Sequence, residues 1–175
     1  MEGCSAIGRM NLCKEIIMKL YLVKFQFSKK ECYALWYTDD VDGFLLDDNG
    51  KIRSFASEEE TRLFANREGY YLDDEIALIS SDTLLSFGRE EIDCNFILTY
   101  WNIFSDLART VNCKFLGDNS DGDVEGIYQK LFYGCNLSAI RKDGEIFVPE
   151  WNESERKRLA EILDNGFKIL SDAIV

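Results

Sequence analysis

The sequence predicts an α+β fold: an N-terminal antiparallel β-meander packed against a later set of α-helices. Two observations carry this. Between residues 20 and 55 apolar residues recur with the period of strands, broken by short polar links. From residue 92 onward the period becomes helical. Strands first and helices later is the α+β order.

Leu20-Tyr-Leu-Val-Lys-Phe-Gln-Phe27 alternates so that Tyr21, Val23, Phe25 and Phe27 share one strand face. Ser28–Glu31 is a polar turn, and the aromatic run Cys32–Thr38 is the returning strand. Gly43–Leu46 starts a third strand, Asp48-Asn49-Gly50 turns it, and Lys51–Phe55 completes a hairpin, because Asn-Gly tolerates the positive φ of a tight turn. These links are too short to hold crossover helices. Ser57-Glu58-Glu59-Glu60 is a capping box, with the serine oxygen accepting from the Glu60 amide and Glu60 reaching back to the serine amide. That helix runs to Glu68 and stops at Gly69. Tyr70–Leu72 and Ile76–Ile79 form a last short strand and its continuation.

Ile92–Val111 is a helix with a wide apolar face that includes Tyr100, Trp101, Phe104 and Leu107. Its narrow polar stripe holds Asn95, Thr99, Asn102, Asp106 and Arg109. Residues 117–126 are a loop by composition, followed by a helix at about 125–133 and a hairpin-like stretch at Asp143-Gly144. Asn152 caps the last helix with Glu155 three residues on. The 92–111 helix and this last helix cover the core face of the meander. No linker divides the chain, so residues 1–175 are one domain, with 1–19 expected as a peripheral helix.

Composition narrows the function. The chain has 20 Lys+Arg, 32 Asp+Glu and no histidine, for a net charge of −12. The missing histidine excludes Ser-His-Asp and Cys-His catalysis and histidine-bound metals. The charge opposes direct binding of nucleic acid, whose phosphates need a basic surface. At 46% hydrophobic residues the chain can bury roughly 70% of its unfolded surface. Its six cysteines, with no CxxC among them, are therefore expected as reduced core residues. No secretory signal and no stretch long enough to span a membrane is present, so the cytoplasm is the expected compartment.

The negative charge is clustered. Residues 1–38 carry six bases and three acids, whereas three acidic groups follow. Asp39, Asp40, Asp42, Asp47 and Asp48 surround the second and third strands. Asp73, Asp74 and Glu75 follow Tyr70-Tyr71. Asp118, Asp121, Asp123 and Glu125 occupy the late loop. No glycine in these groups has an EF-hand ligand five residues before it, so no metal site is expected. No phosphate-cradling loop is present either, and no cofactor is expected. Carboxylates beside Trp36, Tyr37 and Tyr71 suit a protein interface, where aromatic anchors bury and charges orient. Two further readings stay open: a hydrolase built on a carboxylate pair, and an acidic adaptor or nucleic-acid mimic for another basic protein.

Three stretches carry a resemblance. Ser54–Glu60 (SFASEEE), Phe96–Thr110 (FILTYWNIFSDLART) and Tyr128–Asn152 (YQKLFYGCNLSAIRKDGEIFVPEWN) resemble a family of small bacterial immunity proteins that accompany polymorphic and contact-dependent growth-inhibition toxins. The resemblance implies a cytoplasmic, non-enzymatic protein that binds the C-terminal toxin domain of its cognate effector. Many such toxins are nucleases, some of them tRNA-cleaving, with basic active sites. The expected contact residues are Trp36, Tyr37, Asp39, Asp40, Asp42, Asp47, Asp48, Tyr71, Asp73, Asp74, Glu75, Asp118, Asp121 and Asp123, in a 1:1 complex with one basic domain.

Overall fold

The computed structural model describes residues 18–27, 29–82, 91–139 and 145–174, and they form an α+β fold around a mixed sheet. The expected helix over 1–19, apart from its last two residues, and the hairpin at Asp143-Gly144 lie outside the described residues. β1 (Lys19–Phe27) and β2 (Lys30–Thr38) pair antiparallel end to end, Lys19 opposite Thr38 and Phe27 opposite Lys30. Lys29, in the link between them, has φ 64°.

The third strand departs from the expected hairpin. β3 (Gly43–Phe44) pairs with Trp36 and Tyr37 of β2, and β4 (Ser54–Phe55) pairs with Tyr33 and Ala34 of the same strand. Together they are one edge strand interrupted by an excursion. The Leu46–Ile52 bridge closes the excursion's neck. At its tip Asp47 Oδ1 accepts from the amides of Asn49 and Lys51, both at 2.9 Å. Gly50, at φ 75°, makes the turn there. Asn-Gly thus makes the turn as expected, but the returning arm rejoins the edge it left.

α1 (Glu58–Arg67) is capped by Ser57, whose Oγ accepts from the Glu60 amide at 3.1 Å. Glu60 reaches back to the amide of Ala56 instead of that of Ser57. Gly69 ends the helix at φ 75°. α1 is a crossover helix, because β5 (Tyr71–Ser80) lies parallel to β1 at the sheet edge. The links before Ser57 are indeed too short for a crossover. The helix after it supplies the length that parallel pairing needs. Leu20 pairs with Leu72 and Leu22 with Ile76. Four steps along β5 therefore match two along β1, and the surplus bulges at Asp73-Asp74-Glu75.

Both sheet faces are covered. Val23, Phe25, Ala34 and Ile79 pack beneath α2 (Cys94–Thr110), α3 (Gly122–Gly134) and α4 (Glu153–Ala173). Leu20, Leu22, Leu35 and Phe55 pack with Ala65 and Phe64 of α1 on the opposite face. The continuous run Leu20–Val23 fits this, since a strand covered on both faces loses its alternation. Leu20, Leu22, Val23 and Phe25 are all fully buried. In the helical layer Tyr100, Phe104 and Phe167 meet edge to face. Gly166 lets α4 sit on the Phe104 ring, where a Cβ would collide with it. Asp93, Asp121 and Asn152 cap α2, α3 and α4, and Asn152 with Glu155 forms the expected capping box. Cys32, Cys94, Cys113 and Cys135 are free thiols, and burial pushes Cys32 and Cys94 up to about 11, away from nucleophilic reactivity at neutral pH. Among the described residues no helix is long and apolar enough to cross a membrane.

Candidate functional site

The β1 start forms the hinge of the acidic surface. Lys19 pairs with Thr38 on one side and Tyr71 on the other. Two groups more than thirty residues apart in sequence, Asp39–Asp42 and Asp73–Glu75, therefore flank the same end of the sheet. With neighbouring strands about 4.8 Å apart, the ends of β2 and β5 are separated by roughly two strand spacings. Asp39, Asp40, Asp74 and Glu75 are exposed, while Asp42 and Asp73 are half-buried.

The protein's own donors shape this end. Asp73 Oδ2 lies 2.7 Å from Lys19 Nζ, and its Oδ1 accepts from the Glu75 amide at 2.9 Å. These bonds, that of Lys19 foremost, hold the Asp73 carboxyl below the usual carboxylate value and raise the lysine. Lys19 also sits 4.7 Å over the Tyr21 ring. On the β2 side Asp42 Oδ1 accepts from the Asp39 amide at 3.2 Å, closing the turn. The carbonyl of Asp42 accepts from Arg109 Nη1 at 3.0 Å. That same nitrogen is 3.0 Å from Asp106 Oδ1, and Asp106 Oδ2 accepts from Trp36 Nε1 at 3.0 Å. Asp106 is 6% exposed, and burial raises its pKa against the opposing pull of Trp36 and Arg109. Thr110 Oγ1 donates to the Asp106 carbonyl and accepts from the Phe44 amide. Gly43 makes this approach possible, since a Cβ there would lie 2.7 Å from the Tyr37 hydroxyl and 3.0 Å from Thr110 Oγ1.

The expected contact residues thus sort by place. Asp39, Asp40, Asp42, Tyr71, Asp73, Asp74 and Glu75 come together at the sheet end, with Tyr71 58% exposed. Trp36 and Tyr37 stand there too but are half-buried: the indole N–H of Trp36 turns inward to Asp106, and Tyr37 packs toward the α1 face. Asp47 and Asp48 occupy the excursion, whose base meets the end of α4 through Ile52 N–H to the Ala173 carbonyl. Asp47 is committed to its turn, and Asp48 is fully exposed beside Arg53 at 3.6 Å. Asp118 ends a 3-10 turn ahead of α3, and Asp121 and Asp123 lie at the start of that helix. Asp118 accepts from Ser105 Oγ at 2.8 Å, Asp121 caps the helix and lies 3.5 Å from Arg158, and Asp123 is exposed.

Sequence patterning puts Asp106 and Arg109 together in the solvent stripe of α2. The structure buries Asp106 and uses both residues to tie the Asp39–Asp42 turn to α2. The available signal was their i,i+3 spacing, the geometry of a helical ion pair. Lys19 carried no local signal. Among the described residues no group of three or more Cys, Asp and Glu is placed to hold a metal ion.

Fold and site together define a two-faced α+β domain with an acidic sheet end. Among solved structures it is similar to the crystal structure of the SatS C-terminal domain in complex with bromine, with a TM-score of 0.50, 14% identity, and coverage of 89% of this chain and 92% of that one. This likeness concerns the fold. No family model matches the chain, and no curated protein matches it in sequence.

Proposed function

We propose that this chain is a non-enzymatic immunity protein that binds the basic C-terminal toxin domain of a cognate growth-inhibition effector, one to one, in the cytoplasm. The toxin is a nuclease, and the acidic sheet end covers the basic surface that would hold its phosphates. The observation that carries the reading is the convergence of Asp39–Asp42 and Asp73–Glu75 on one sheet end. Sequence-distant acids gathered there make a field able to steer a basic partner and to pair with it at close range. The resemblance of the α1 start, α2 and the Tyr128–Asn152 stretch to immunity proteins supports the same reading. Tyr71, exposed beside the bulge, is the aromatic anchor.

The test is co-expression with the toxin domain encoded beside this chain, reading cell survival and nucleic-acid cleavage. Wild-type chain restores survival. Charge reversal at Asp39, Asp40, Asp74 and Glu75 together removes protection while the chain stays folded. A toxin that kills equally well with and without this protein overturns the proposal. Intact protection by the four-site variant overturns the assignment of the sheet end.

A further inference from the structure

A groove of about 470 Å³ runs between α2 and α3, walled by the 3-10 turn Leu116–Asp118. Asp118 and Glu125, both exposed, line it, and no lysine or arginine does. The comparable groove between the starts of α3 and α4, about 410 Å³, differs in this respect. Its Asp123, Glu155 and Glu161 share the lining with Lys157 and Arg158. Of these two grooves among the described residues, the first holds carboxylates with no base in its lining.

A second feature lies at its floor. Trp101 is 3% exposed, held edge to face by Phe115 and Tyr128. Its indole N–H donates to no acceptor among the described residues, yet the nitrogen is not sealed from solvent. The neighbouring Cε2 would lie 2.8 Å from a Cβ at Gly117, whose backbone lines the groove. Trp101 itself lines the groove, and the ring edge beside its nitrogen packs against Gly117, a residue with no side chain. A fixed donor of this kind in an otherwise buried side chain is an unused hydrogen-bonding position.

We infer that this groove is a binding site for an arginine side chain presented by a basic protein. Asp118 and Glu125 receive the guanidinium, whose planar fork suits carboxylates, and the Tyr128 ring offers it a face. Asp118 is oriented by Ser105 through one oxygen, which leaves the other for the ligand. The Trp101 N–H takes the main-chain carbonyl of the same arginine. The volume falls in the usual range of roughly 300–1,000 Å³ for a ligand site. The inference deepens the basic-partner reading, resting on it only for the source of the arginine.

The experiment titrates the 15N-labelled full chain with N-acetyl-L-arginine methylamide and with its neutral citrulline counterpart. The expected result is saturable movement of the Trp101 indole resonance with the arginine probe and none with citrulline, while the Trp36 indole, bonded to Asp106, stays still. Asp118→Asn with Glu125→Gln weakens the arginine response by at least about tenfold, the scale of losing charge-assisted hydrogen bonds. Trp101→Phe keeps an aromatic ring at the site, removes the donor and weakens binding severalfold, read from the backbone amides of Asn119 and Ser120. An unmoved Trp101 resonance, or equal movement by citrulline, overturns the inference. If the probe binds but the chain neutralises no toxin, the immunity reading falls and the groove stands. If the chain neutralises but the probe does not bind, the groove falls and the immunity reading stands.

Discussion

Two acidic regions of this molecule are built differently. At the sheet end Asp73 is held by Lys19, and Asp42 caps the Asp39 amide while Arg109 grips its carbonyl. That surface is organised by the protein's own donors, and its exposed members, Asp39, Asp40, Asp74 and Glu75, project from a fixed frame. In the α2–α3 groove Asp118 has a hydroxyl partner and Glu125 has none among the described residues. The same residue types thus serve as scaffold in one place and as unspent charge in the other. A net charge of −12 says nothing of this division. It emerges only from which donors stand within reach of each carboxylate.

The sheet-end frame breaks most severely at Asp106. Asp106→Ala strands the half-buried Trp36 indole and removes the ion pair of Arg109, at a cost of about 1–3 kcal/mol, the range for losing hydrogen bonds to a charged group. Urea unfolding measures it, and hydrogen exchange at Asp39–Asp42 should speed up in parallel. A loss below about 0.5 kcal/mol, the usual scale of a neutral surface change, would mean that the frame is held by something else.

The groove breaks at Gly117. Gly117→Ala drives a Cβ into the rings of Phe115 and Trp101, an overpacking worth about 1–3 kcal/mol. It should shift the thermal midpoint and quench the arginine response while leaving the proposed contact at the sheet end intact. A smaller contrast follows at the start of α3. Asp121→Ala removes a helix cap and costs about 1 kcal/mol, whereas Asp123→Ala, exposed and bonded to no backbone amide, stays near zero. Equal losses for the two would refute the capping assignment.

The mildest test uses acid. Asp73 titrates below its ordinary 3.8 because Lys19 favours its ionised form. Its contribution to stability is therefore complete above that value and is lost as pH falls through the lowered one. Asp106 acts with the opposite sign. Burial raises its pKa, so its ionised form weighs against the fold above 3.8 and protonation relieves this as pH falls. Asp73→Asn should flatten the acid limb of the stability curve, and Asp106→Asn should steepen it. Identical limbs for the two variants would contradict the geometry at the sheet end.

What could be read from the sequence was what a short window contains. Ser57, Gly69 and Asn152 mark helix ends because caps are made by neighbours. The apolar period of residues 92–111 reports a helix that is largely buried. Pairings at long separation leave no such trace. The parallel match of β5 to β1 depends on where α1 delivers the chain, and Trp36 meets Asp106 across 70 residues. Some of the rest was present in muted form. Leu20–Val23 is too uniformly apolar for a strand with one wet face, and Asp73-Asp74-Glu75 interrupts the apolar pattern between Leu72 and Ile76 where the register shifts. The seven contact candidates that meet at the sheet end were each recognisable as acidic or aromatic. Their convergence was not, because β1, which brings them together, contains none of them.

The interrupted edge strand has a consequence for how such a chain can change. Because the excursion between Phe44 and Ser54 leaves β2 and returns to it in the same lane, its length is uncoupled from strand register. Residues can be added at Asp48–Gly50 at the cost of the Asp47 turn bonds and the slowly growing entropy of a longer loop, with no side chain of the sheet forced to the opposite face. Variants of this segment can therefore diverge in length and charge over an unaltered sheet, and a peptide tag or fluorophore inserted at Asn49 would leave the acidic end uncovered.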